Sequence, residues 1–167
     1  MTSPPTLTRY RTLIVEGREG VRRSDLLAEL AHLGFLVRRM PTSLHHLDPA
    51  LPYRELLAGP GRLAVDGGIL RELVYGPLRR GRSRVTWIQA LDFAEAVAER
   101  DGAMLHLMAR APAGHTYRLR GEAADASVAY DHAFLTLAQH VPVVTLDVRE
   151  PARPIRAHPP HEHQLRP

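Results

Sequence analysis

Five short apolar runs separated by segments of helical periodicity constrain the fold of this chain more than any other feature of its sequence. The runs are Thr12-Leu-Ile-Val15, Phe35-Leu-Val37, Leu63-Ala-Val65, Met104 to Met108 and Val143 to Leu146. Each is strand-sized, and none shows the apolar/polar alternation of a strand with one wet face. Between them, Asp25 to Leu33 sets Leu26, Leu27, Leu30 and Leu33 at helical spacing, and Thr86 to Arg100 carries Ile88, Leu91, Ala94, Val97 and Ala98 on one stripe. Further helices are expected over Leu51 to Leu57, Ile69 to Tyr75 and Ala124 to Gln139. Strands that are apolar on both sides and alternate with helices predict a three-layer α/β fold with a five-stranded parallel sheet.

At 167 residues with 44% hydrophobic content, the chain has enough apolar surface for one domain with its own core. That domain is expected over residues 11–149. Residues 1–10 are read as a flexible leader and 150–167, with five prolines, as a flexible Pro/His-rich tail, both outside the core. His158, His161 and His163 have a spacing open to a weak metal site, but a Pro-rich tract without a thiol framework reads as a tail. The absence of cysteine excludes disulfides and thiolate metal sites, and no signal peptide is recognisable. The apolar runs fall far short of the roughly 20 residues that span a bilayer. A cytoplasmic protein with no membrane contact is the expectation.

All 22 basic residues are arginine. Codon bias in a GC-rich genome explains that surplus together with the many Ala, Gly and Pro residues, although a guanidinium fork also suits phosphate oxygens. A net charge of +4 permits a nucleic-acid partner, but aromatic interleaving is poor and no reader motif is present.

In an open parallel sheet the ligand site lies beyond the carboxyl ends of the strands, which directs attention to the loop after the first strand. There Gly17, Gly20, Val21, Arg22, Arg23 and Ser24 follow the spacing of a phosphate-cradling loop, G-x-x-x-x-G-K-[ST]. Arginine stands at position 22, where a glycine lets backbone N–H groups approach phosphate, and at position 23, where a lysine lies along the β and γ phosphates. A left-handed backbone at position 22 would make Arg22 strained and intrusive. A Gly-rich turn entering a helix is the plain reading of this stretch taken alone.

A second segment adds to it. From about Arg11 to Val148 the chain resembles the thymidylate-kinase-like P-loop kinases. Leu13-Ile-Val-Glu-Gly-Arg-Glu-Gly-Val21 is similar to their opening strand and loop, and Val65-Asp66 followed by Glu72-Leu-Val-Tyr-Gly-Pro77 resembles their Asp-Arg pair and E-x-x-Y-G element. Arg118-Leu-Arg120-Gly121 resembles the lid that closes over the phosphates. The resemblance implies a P-loop nucleotide-kinase fold and ATP, or another nucleoside triphosphate, bound with Mg²⁺. In that scheme the backbone of Gly17 to Ser24 and Arg23 hold the donor, Ser24 and Asp66 hold the metal, and Arg118 and Arg120 neutralise charge during transfer.

Glu72 and Tyr75 belong to the matching acceptor segment, and Arg80 and Arg84, in the cationic run with Arg79 and Arg82, are candidates for the acceptor's phosphate. A solvated basic loop over Pro77 to Arg84 is the duller reading, as a helix cap is for Asp66 and a core or rim position for Tyr75 and Trp87. Nothing in the sequence fixes the roles of His45 and His46.

Three departures fall on the chemistry: arginine for glycine at 22, arginine for lysine at 23, and Gly67 where the arginine of the Asp-Arg pair is expected. Two functions therefore compete. One is phosphoryl transfer to a nucleotide or nucleoside acceptor. The other is a catalytically impaired pseudokinase that binds a nucleotide or a protein partner, a homodimer included.

Overall fold

The computed structural model describes residues 4–40, 49–110 and 119–149. Five strands form its sheet: β1 (Thr12–Glu16), β2 (Leu36–Arg39), β3 (Leu63–Asp66), β4 (Gly102–Arg110) and β5 (Val143–Arg149). They lie in the order β2-β3-β1-β4-β5, and every pair is parallel. The central strand, β1, is buried along its whole length, which is why its sequence is apolar on both sides.

Six helices accompany the sheet: α1 (Pro4–Leu7), α2 (Ser24–His32), α3 (Leu51–Leu57), α4 (Ile69–Arg80), α5 (Trp87–Glu99) and α6 (Glu122–Leu137). Side chains alternate along each strand and divide the core in two. Ile14, Val65 and Met104 pack with α3 to α6, whereas Leu13, Val15, Leu105 and Leu107 pack with α1 and α2. The three-layer α/β class and the five parallel strands are those expected from the sequence.

Leu7 and Tyr10, placed by the sequence in a leader outside the core, are instead buried with Leu13 and Leu30. Arg62 helps to fasten this segment by donating to the carbonyls of Thr8, Tyr10 and Leu33. Arg100 similarly joins the Thr12 hydroxyl to the Gly59 carbonyl. Part of the arginine surplus thus ties loops to the amino-terminal edge of the sheet.

The expected basic loop over Pro77 to Arg84 is also corrected, because α4 continues through Pro77 to Arg80 and stops at Gly81, a left-handed cap with φ 75°. Proline removes one helical N–H. The turn nevertheless holds, because the Glu72 carboxylate accepts from the Arg84 N–H at 2.9 Å and pairs with the Arg80 guanidinium. Gly76 lets the returning chain close on the helix: a Cβ there would stand 2.9 Å from the Arg82 carbonyl oxygen.

Parallel register decides what meets at the carboxyl edge. Val15 lies beside Asp66, and Asp66 beside Arg39. The loops after β1 and β3 consequently open into the same space.

Candidate functional site

The loop from Gly17 to Arg23 links β1 to α2 and forms one wall of a cleft of about 550 Å³. Its glycines have separate tasks. A Cβ at Gly17 would stand 2.7 Å from the Leu107 carbonyl oxygen, so glycine allows the loop to cross β4 closely, and Gly20 turns at φ 89°. Glu19, Gly20, Val21 and Arg23 face the cleft; Gly17, Arg22 and Ser24 do not line it. Arg22 has no left-handed backbone and points outward, reaching Asp25 at 3.4 Å. The strained, intrusive side chain envisaged at position 22 is not found.

Asp66 closes the opposite wall from the end of β3. Its Oδ1 is 3.1 Å from Arg23 Nη1, and its Oδ2 is 3.5 Å from Arg39 Nε. The second arm of Arg23 donates to the Gly17 carbonyl at 3.3 Å. The residue at the lysine position of the loop and the expected metal ligand are therefore bound to each other. Gly67 follows with φ 87°, a conformation that favours glycine, so the arginine expected there would be strained. Arg39 and Arg71 bring guanidinium groups to the cleft instead.

Helix α4 forms the remaining wall. Arg71, Tyr75 and Arg79 recur every four residues along one helical face. The Tyr75 ring is buried, its hydroxyl accepts from the Glu19 N–H at 2.7 Å, and the Arg79 guanidinium lies 4.4 Å from its centroid. Tyr75 therefore holds the loop as well as lining the cleft. The Glu19 carboxylate binds Arg71 and Arg79, each at 2.6 Å, and Arg79 continues to Glu122 of α6 at 2.8 Å. Hydrogen bonding to Arg79 and the neighbouring positive charge hold the Glu19 carboxyl below its ordinary range. Glu72, Arg80 and Arg84 line the same cleft, and Met40 and Tyr53 add apolar wall.

Beneath the loop lies a carboxylate to which the loop motif assigns no role. Glu16 ends β1 fully buried, accepting from the Leu70 N–H at 3.0 Å and from the Tyr130 hydroxyl at 3.5 Å. Burial pushes its carboxyl up to about 7, against the opposing pull of the Leu70 N–H, Arg23 and Arg71.

Arg120 is exposed and does not line the cleft. Arg118, His45, His46, His158, His161 and His163 lie outside the described residues.

Magnesium does not fit the residues assigned to it. Asp66 has a guanidinium on each oxygen, and Ser24 is exposed away from the cleft. A small cation that demands near-octahedral oxygen ligands would have to displace Arg23 before Asp66 became free. What the cleft does offer is charge: six arginines line it against three carboxylates, Glu19, Asp66 and Glu72.

No protein-family model matches the chain, and no curated protein matches it. Among solved structures it is similar to the YorR protein of Bacillus subtilis in complex with phosphorylated GDP. The identity is 15%, the match covers 81% of this chain and 85% of that one, and the TM-score is 0.66. The two chains share a fold. What each does with it belongs to the site, because one scaffold carries many functions. Among the described residues no helix is long and apolar enough to cross a membrane.

Proposed function

We propose that this protein binds a nucleotide through its phosphates in the arginine-lined cleft, and that its capacity for phosphoryl transfer is impaired. The observation that carries this reading is the fork of Arg23 held between the Asp66 carboxylate and the Gly17 carbonyl. A donor cation must reach the β and γ phosphates, and Arg23 reaches them only by leaving both partners. A charge-assisted hydrogen bond of this kind contributes about 1.5–3 kcal/mol. Losing a preorganised charge at the transferring group costs orders of magnitude in rate.

Binding makes smaller demands. The cleft falls within the roughly 300–1,000 Å³ of small-ligand sites, its guanidinium groups match phosphate oxygens, and Met40 and Tyr53 supply apolar surface for a sugar or base. The neighbour that shares the fold was crystallised with phosphorylated GDP, which supports a nucleotide as the ligand class. Thymidylate is the acceptor implied by the sequence resemblance, and a nucleoside monophosphate is the form of it that suits this charge. We place it in the cytoplasm as part of the same proposal.

The test is a calorimetric titration with ATP, GTP and thymidylate at low ionic strength, paired with chromatographic assay of the same mixtures. Saturable binding without nucleoside diphosphate formation above the protein-free control is expected. Steady turnover would restore the active-kinase reading, and absence of binding to every nucleotide would remove the proposal.

A further inference from the structure

We propose that the cleft holds its phosphorylated ligand with guanidinium groups alone, a divalent cation being excluded because Arg23 and Arg39 occupy both oxygens of Asp66. The inference rests on the nucleotide-binding reading and concerns how the ligand's charge is met. In a metal-assisted site a carboxylate holds the cation, and the cation bridges to phosphate. Here the carboxylate at the end of β3 already has a cation, and that cation is covalently part of the loop.

Position makes the substitution effective. Arg23 and Asp66 are both partly buried, with side-chain exposures of 22% and 16%, so their pairing is less screened than a surface contact. Arg39 is mostly exposed, at 80%, and meets the other oxygen at 3.5 Å. Arg71 and Arg79 project from α4 beside them, positioned by Glu19 and, for Arg79, by the Tyr75 ring. Four guanidinium groups thus supply positive charge without a metal, each positioned by a carboxylate that the ligand's phosphates must compete with.

Two consequences separate this arrangement from a metal site. A free polyphosphate carries more negative charge than its magnesium complex, so magnesium should weaken binding to a site built from arginine. Conversion of Asp66 to a neutral amide should release Arg23 and Arg39 toward the ligand, whereas a metal-holding carboxylate cannot be neutralised without loss.

The experiment is calorimetric titration of the intact protein with ATP and with inorganic tripolyphosphate, once in excess chelator and once in excess Mg²⁺. Affinity in chelator is expected to be about threefold or more tighter, as weaker Coulomb attraction to the partly neutralised ligand requires. Equal affinity in the two conditions would overturn the exclusion of the cation, because the magnesium complex would then be held as well as the free ligand. Binding that appears only with Mg²⁺, or is tighter with it, overturns the inference while leaving nucleotide binding intact. Binding of neither ligand in either condition overturns both. Asp66→Asn, checked for native circular dichroism, should bind tripolyphosphate more tightly in chelator, and weaker binding by a folded variant would contradict the role given to Asp66.

Discussion

Glu16→Gln should stabilise the protein at alkaline pH and flatten its dependence of stability on pH. The carboxyl sits under the loop at the end of β1, fully buried, with Gly68 packed against it. Burial raises its pKa from 4.5 to about 7. Between these values the folded chain holds the proton more tightly than the unfolded chain does. The group's stabilising contribution is complete below pH 4.5 and disappears as the pH rises through 7. At about 1.4 kcal/mol for each tenfold change in proton affinity, the swing is about 3 kcal/mol. Glutamine keeps an oxygen for the Leu70 N–H and adds an amide facing the Tyr130 hydroxyl, so it removes the titration without emptying the space. Urea denaturation of both proteins from pH 5 to pH 8, followed by circular dichroism, reads the difference directly. The variant should gain on the parent steadily, leading by about 1–3 kcal/mol at pH 8. Parallel curves across that range, or a variant less stable at pH 8, would refute the reasoning.

Two further substitutions probe the walls of the cleft. Glu19→Gln removes the carboxylate that occupies Arg71 and Arg79, so calorimetry should show inorganic phosphate or tripolyphosphate binding several-fold more tightly. Because Glu19 is 40% exposed, urea melts should move by less than about 1 kcal/mol. Arg22→Gly should leave nucleotide affinity within about twofold of the parent at moderate salt, since Arg22 points away from the cleft. A large gain in titration would mean that this arginine does obstruct the loop.

The inner strands were legible because buried parallel strands leave a signature that needs no knowledge of neighbours, short runs apolar on both faces, whereas the edge strands β2 and β5 are largely exposed or half-buried and carried only part of it. Strand order leaves no such trace, and with it went the pairing that matters most. Arg39 and Asp66 lie far apart in sequence and become neighbours only through the register of β2 and β3. Arg71 and Arg79 carried a readable signal, their four-residue spacing around Tyr75, which was lost because the helix was expected to end at Tyr75 rather than run through Pro77.

Glu16 had a signal too, a charged residue closing a run otherwise wholly apolar. The leader misled for a different reason. Its prolines suggested a loose end, while Leu7 and Tyr10 had an apolar face of the sheet to cover. At the loop, the spacing pointed to a segment that lines the cleft but not to the outcome of its substitutions: Arg22 turned outward, and Arg23 found Asp66.

The most direct test of the account is phosphorus-31 NMR of the protein mixed with ATP, Mg²⁺ and thymidylate. One sample reports both binding, as broadened or shifted phosphate resonances, and transfer, as growing diphosphate signals. The account predicts perturbed nucleotide resonances that keep their intensities over hours. Steady conversion of ATP and thymidylate to their diphosphates would contradict it, as would nucleotide resonances that the protein leaves untouched.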